Sequence, residues 1–476
     1  MSPSAPSNPA DSTTAPSGAS VPRARFIRLT LLLTLGLVLL GRGTFFTSDE
    51  GGIFNTAVAI ALHGTHAIGP GEGVHPGRDG RQYSRREILP MLLAVPTVWA
   101  GVLVDRFTSL APPLAAGPAS QGPANWPAFV TLSVWGPLCL AATTTLLWRG
   151  LVSRGLDNRS AVVIAGVTLV STPLVVYSKT LFSQVFETLL LLVAVEATHR
   201  WTRRPSRSAE LVLMSSLALF ELARPASAPA VLCFLPVLVF AGQVSLRRRV
   251  EALFLAGVGI AVGTLGVCFV NWLRWGSPLD FGYHDAALRF STPWWQGTLG
   301  LYLSPGKSLF LYAPLLLVPL CGMASLIRHR RAEALLALAL TVVYTAIASR
   351  WSGWSGDLCW GPRFVVPLIP VWVAAATPLW MTLRGRQAAL ALGVTGALLQ
   401  LPGLLSWIHW INARPHQEWS LTDSHLPRTV AALFRHGIDD LWLFNTGSPL
   451  STICGLVAIA LFFRLAWKTA LGSPRS

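Results

Sequence analysis

The run FIRLTLLLTLGLVLLGRGTFFTSDEGG, residues 26–52, decides the fold class. Residues 26–46 are long and apolar enough to cross a bilayer, which takes roughly 17–25 such residues. Two adjacent carboxylates, Asp49 and Glu50, follow directly. Arg23, Arg25 and Arg28 flank the start, and basic flanks stay in the cytoplasm. No convincing small-residue cleavage site follows the run, so it reads as an uncleaved first helix. Residues 1–22, rich in Ser, Pro and Ala, read as a disordered cytoplasmic tail.

The rest of the chain agrees. Of 476 residues, 52% are hydrophobic and 12% charged, where a soluble domain carries about 25% charged residues. Too little polar surface remains to face water, so a soluble fold is excluded. The net charge of +16 does not mark a nucleic-acid partner. Arg falls in short clusters between apolar runs, the positive-inside pattern of a protein whose partner is the lipid bilayer. The six Cys show no metal-ligand spacing and read as small buried hydrophobes.

Apolar runs long enough to span occur at 26–46, 129–148, 160–177, 182–199, 208–222, 226–241, 250–271, 308–327, 332–349, 364–383, 387–407 and 449–467. One more, 88–104, is ambiguous. Basic clusters at 23–28, 149–159, 200–207, 247–249, 328–331 and 384–386 settle it, because cytoplasmic clusters must be separated by even numbers of crossings. The expected fold is therefore an all-α polytopic membrane protein of about 12 transmembrane helices, with both termini cytoplasmic. The run 88–104 becomes a non-spanning, membrane-dipping helix in the first outer loop. Residues 23–476 form one transmembrane domain with long outer loops at 47–127, 272–307, 350–363 and 409–448. Loops beyond about 12–15 residues are usually functional or disordered, and these four share one face.

Asp49 and Glu50 can supply a general base and a neighbour that tunes it or binds a metal. They also suit a helix start, with Ser48 or Asp49 capping a helix over 50–63. Arg85 and Arg86, with Arg81, defy the positive-inside bias and suit an anionic phosphate; snorkelling at an interface is the alternative. Ser304-Pro305-Gly306-Lys307 leads into a helix whose free N–H groups and Lys307 could hold an anion, or is an ordinary helix start. The loop WSGWSGDLCWGPRF, residues 351–364, interleaves Trp and Gly with Asp357 and Arg363. Trp354, Trp360 and Asp357 there suit a sugar, or the Trp belong to an interfacial belt. His63, His66 and His75 make a divalent metal conceivable, but their spacing matches no ligand motif. Glu187 lies in an apolar run near Lys179 and Gln184, and an intramembrane carboxylate is a functional candidate by default.

Taken in order along the chain, these features resemble the GT-C glycosyltransferases, which include protein O-mannosyltransferases and bacterial enzymes that modify lipid A with aminoarabinose. The acidic pair after the first helix carries the resemblance. So do Tyr83-Ser84-Arg85, Thr172-Pro173 with Tyr177-Ser178-Lys179-Thr180, Phe281-Gly282-Tyr283, Ser304-Pro305-Gly306-Lys307 and Trp360-Gly361-Pro362-Arg363-Phe364. The resemblance implies transfer of a sugar from a polyprenyl-phosphate donor to a lipid, glycan or protein acceptor outside a bacterial inner membrane. Asp49 and Glu50 would be catalytic, and Arg85, Arg86, Lys307 and Arg363 would bind the donor phosphate. Tyr83, Tyr283, Trp354, Asp357 and Trp360 would contact the sugar or acceptor. The sequence assigns no certain cofactor, and a divalent metal stays open. The competing classes are a transporter or lipid flippase, which would carry polar residues in mid-helix, and a non-enzymatic assembly partner.

Overall fold

The computed structural model describes residues 22–45, 47–113, 125–283, 289–406, 417–445 and 449–471. The expected disordered tail, 1–22, falls outside them except for Pro22, as do parts of the expected outer loops.

The described residues are mostly helical, with one small hairpin. α1 (Arg23–Leu39) stops well short of residue 46. Gly41 and Gly43 are poor helix formers, and Arg42 between them turns inward to a buried partner, Asp440. α2 (Ser48–His63) follows with Thr47 as N-cap, one residue before the expected Ser48 or Asp49. Antiparallel β1 (Val74–Pro76) and β2 (Gln82–Ser84) lead to α3 (Ile88–Phe107). α4 (Trp126–Ser153), α5 (Asn158–Val170), α6 (Leu174–Tyr177), α7 (Ser183–Arg203) and α8 (Arg207–Ala223) come next. A 3-10 segment, Pro225–Cys233, precedes α9 (Phe234–Val239) and α10 (Leu246–Trp275). The remainder is α11 (Trp294–Leu303), α12 (Leu309–Tyr312), α13 (Leu317–Cys321), α14 (Met323–His329) and α15 (Arg331–Arg350), then α16 (Leu368–Ala375), α17 (Thr377–Trp380), α18 (Leu383–Leu405), α19 (His425–His436) and α20 (Pro449–Leu471).

Four runs expected as single spans are broken: 160–177, 226–241, 308–327 and 364–383. Pro173, Pro229, Pro314 and Pro378 stand in or beside the breaks, each removing a backbone donor and clashing with the preceding turn. Broken backbone is tolerated at membrane depth only where protein surrounds it. Every residue of α16 is accordingly buried. Among the described residues six helices, α3, α4, α10, α15, α18 and α20, are long and apolar enough to cross a membrane. Hydroxyls inside α4 satisfy themselves on its own carbonyls. Thr143, Thr144 and Thr145 donate to residues four earlier, as polar groups without water must. Thr145 also meets Thr30 of α1 at 2.8 Å.

α3 is one of the six, although the parity of basic clusters reads its run as non-crossing. It starts beside Asp49, where Arg86 ends. Farther along, Thr97 accepts a hydrogen bond from Trp135 (3.1 Å), and Gly101 packs so closely on Pro127 that a Cβ would lie 2.3 Å from its Cα. The far half of α3 thus meets the first turns of α4, whose other end is at Ser153. On that geometry exposed Ser109 is expected on the same membrane face as Asp49. A single Cys at 109, in a background without native Cys, should react with an impermeant thiol reagent added outside intact cells. Reaction from the cytoplasm alone would place α3 across the membrane.

Candidate active site

Asp49 is the second residue of α2. Its Oδ1 pairs with Arg86, and its Oδ2 accepts a hydrogen bond from Arg363 Nη2 at 2.8 Å. Both arginines are mostly buried. Local sequence explains how they arrive. A side chain at Gly52, one turn after Asp49, would meet Ser84 Oγ at 2.6 Å. Glycine there lets the end of β2 lie on α2 and carries Arg85 and Arg86 to the carboxylate. Arg85 N–H donates to Gly73 O (3.2 Å), and Arg274 Nη1 donates to Arg86 O (2.9 Å), so this backbone is held from both sides.

Arg363 comes from the Trp- and Gly-rich loop and is anchored on several sides. Its guanidinium lies 4.6 Å from the Phe182 ring and 5.2 Å from the Phe364 ring. Nη1 donates to Cys359 Sγ at 3.3 Å. With the Gln184 amide oriented to satisfy its neighbours, Gln184 Oε1 accepts from Arg363 Nε (3.3 Å) and Arg224 Nη1 (2.9 Å). Asp357 in the same loop has φ +57°, and among the described residues no other non-glycine has positive φ. A non-glycine residue there is strained unless its surroundings hold it, and Lys307 Nζ holds its carbonyl at 2.7 Å.

The charges oppose one another. Burial alone would raise the Asp49 carboxyl, but Arg86 and Arg363, with Arg85 behind them, hold it at about 2. Asp49 is therefore ionised at neutral pH and, with both oxygens engaged, a weak base in this state. Glu50 is wholly buried. Its Oε2 accepts the Thr47 N–H (3.3 Å), and its Oε1 accepts the Leu181 N–H (2.8 Å). It caps α2 and ties that helix to the 178–182 turn, which itself packs on Gly136 of α4.

The other expected residues divide. The Arg85 guanidinium sits 4.9 Å from the Tyr283 ring, which is partly exposed. Lys307 is fully buried and donates to the carbonyls of Asp357 and Cys359 (2.7 and 2.5 Å); burial lowers its pKa to about 8. Tyr83 is buried, donates to Asp79 at 2.7 Å and stacks on His66. Trp354 packs on Gly300 and against Trp419. Trp360 donates to Gln400 at 2.8 Å and, with Tyr177, Phe182, Arg42 and Asp440, lines a small, narrow cavity. Thus Asp49, Arg86 and Arg363 converge, with Arg85 and Tyr283 at the margin; Glu50 and Lys307 hold backbone. No cluster of three or more metal-ligating side chains is gathered among the described residues.

One group was not legible as a site, and another was legible only through Glu187. Arg42 and Lys179 share Asp440, at 2.7 and 2.5 Å for their Oδ2 contacts, and all three are buried. Arg42 hides in an apolar run, and Asp440 lies about 400 positions away. Glu187 is wholly buried, as an intramembrane candidate should be, but its partners are Tyr344 (2.8 Å) and Arg224 (3.4 Å) rather than Lys179. The signal available was Arg224 itself, one charge in an apolar hairpin tip.

No family model matches the sequence, and no curated protein matches it significantly. Among solved structures, ArnT from Cupriavidus metallidurans bound to undecaprenyl phosphate superposes with TM-score 0.51 at 13% identity, covering 94% of this chain and 77% of that one. The apo state of the same protein gives 0.49 at the same identity and coverage. The fold is thus shared with the undecaprenyl-phosphate-bound structure, and six long apolar helices among the described residues make the chain a polytopic integral membrane protein.

Proposed function

We propose that this protein is a membrane glycosyltransferase that moves a sugar from a polyprenyl-phosphate donor to a lipid, glycan or protein acceptor. The observation that carries the reading is a carboxylate clasped by two arginines at the start of a helix in a GT-C fold. A third cation, Arg85, lies beside them. In the transfer, an acceptor hydroxyl attacks the anomeric carbon and forms the new C–O bond. The bond from that carbon to the donor phosphate oxygen breaks, its electron pair staying on the phosphate. The hydroxyl proton passes to Asp49. A phosphate leaves readily and needs neutralising charge more than a proton, which Arg85 and Arg86 supply. Arg363 keeps Asp49 ionised and aimed.

The face follows from the positive-inside rule. Arg154 pairs with Glu196 and Glu333, Arg330 joins them, and Arg200 and Arg203 end α7. This basic end of the bundle is the cytoplasmic one on our reading, and Asp49 opens to the outside of a bacterial inner membrane. About twelve crossings, with the broken runs counted as spans, bring both termini to the cytoplasm.

The test is release of undecaprenyl phosphate by the purified protein in nanodiscs from a panel of undecaprenyl-phosphate sugars. Arg85→Ala and Arg86→Ala should each cost about 10–100-fold, since a charge-assisted contact is worth roughly 1.5–3 kcal/mol. Arg→Lys should rescue only in part, because an ammonium lacks the guanidinium fork. If neither Ala variant changes turnover or donor affinity, the phosphate lies elsewhere. Donor that crosses the bilayer uncleaved would mark a transporter instead.

A further inference from the structure

The two arginines on Asp49 are held differently. Arg363 is fixed by Phe182, Phe364, Cys359 and Gln184 as well as by Asp49. For the Arg86 guanidinium, Asp49 is the single charged or hydrogen-bonding partner among the described residues. Its backbone is pinned by Arg274, so any motion is confined to a long side chain with several rotatable bonds. Arg85, the residue before it, holds its charge against Tyr283 at the margin of the site.

Resting on the reading of the site as one for polyprenyl phosphate, we infer that Arg86 is a movable counter-charge: a donor phosphate arriving at Arg85 draws the Arg86 guanidinium off Asp49 and so switches that carboxylate on as the base. A guanidinium can satisfy a phosphate at two points, and the donor's phosphodiester presents two charged non-bridging oxygens where Asp49 gives Arg86 one. Asp49 keeps Arg363 and loses half its clasp, which raises its proton affinity at the moment a donor is present. The other groups facing it do not replace Arg86. Arg85 goes to the phosphate with it. Cys359 is buried and turned to Arg363, and Glu50 points away to the Thr47 and Leu181 N–H groups. An empty site thus holds its base inactive, and donor binding precedes activation of the acceptor.

The exchange makes Asp49 a competitor of the donor phosphate, which binding alone can read. Equilibrium binding of undecaprenyl phosphate to the purified full chain in nanodiscs is measured for wild type, Asp49→Asn, Arg86→Gln and the double variant, with Asp49→Ala as a second probe should Asn destabilise the protein. Freeing Arg86 should tighten binding about tenfold in Asp49→Asn, and that gain should vanish in the Arg86→Gln background. General relief of repulsion between Asp49 and the phosphate would persist there, so a gain that survives Arg86→Gln overturns the exchange. Unchanged or weaker binding by both Asp49 variants overturns it too, while leaving the glycosyltransferase reading in place. Absence of any binding by wild type removes both.

Discussion

Asp49→Asn is expected to lower turnover by about 10²–10⁴-fold, the range carried by a positioned general base, while the protein still folds and inserts. The carboxylate is clasped between Arg86 and Arg363, and Asn keeps its shape without its basicity. Glu50→Gln offers the contrast. Glu50 spends its two oxygens on two backbone N–H groups, and an amide brings one oxygen and an opposing donor. That variant should lose thermal stability before it loses rate per folded molecule. Acidity gives a second check. Because the free protein holds Asp49 at about 2, below the ordinary carboxylate range, its ion pairs are complete above about pH 4 and fail as pH falls through 2. The profile of kcat/KM, which reports the free enzyme, should show no limb from Asp49 above about pH 3. Wild-type turnover in purified Asp49→Asn would remove Asp49 from the base role.

The sequence made Asp49 legible because its signals are local: an apolar run, then two acids in what becomes the first turn of a helix. Arg85 and Arg86 were legible as cations out of place. The convergence on Asp49 was not, since its pairing with Arg363 spans 314 positions and its pairing with Arg86 depends on the β1–β2 hairpin lying on Gly52. Aromatic composition left two readings open in the 351–364 loop. Trp354 is drawn inside by contact with Gly300, and a count of Trp and Gly does not distinguish a sugar platform from a packed wall. Lys307 reads as an anion ligand from its turn, and in the structure its ammonium donates to two carbonyls of the strained loop, those of Asp357 and Cys359. The broken helices were visible as Pro173, Pro229, Pro314 and Pro378 but were overruled by hydropathy, because an apolar window does not register a missing N–H.

Asp440→Ala is expected to be the most destabilising single change, by about 3–5 kcal/mol, the cost of breaking a buried ion pair from one side. Asp440 is wholly buried between Arg42 and Lys179, both also buried. Its removal leaves two cations facing each other across a small space. The consequence is long-range. Arg42 follows α1, Lys179 lies beside the turn that ties to Glu50, and Asp440 closes a segment whose neighbour Trp442 bonds back to Gly41 and Val38. Losing the carboxylate loosens the joint beneath Asp49, so activity should fall with stability. The ordering of variants separates charge from packing. Lys179→Met alone should cost less, since the Arg42–Asp440 pair survives. Added to Asp440→Ala, Lys179→Met should recover part of the loss by removing one of the stranded cations. If Asp440 acted only by filling space, the two losses would add instead. Unfolding in detergent can be followed by thiol labelling of Cys139 and Cys359, both buried, after Ser replaces the other cysteines. Lys179 retains the Leu404 carbonyl at 2.7 Å, so its rescue should be partial; full additivity would show that the three charges do not act as one unit.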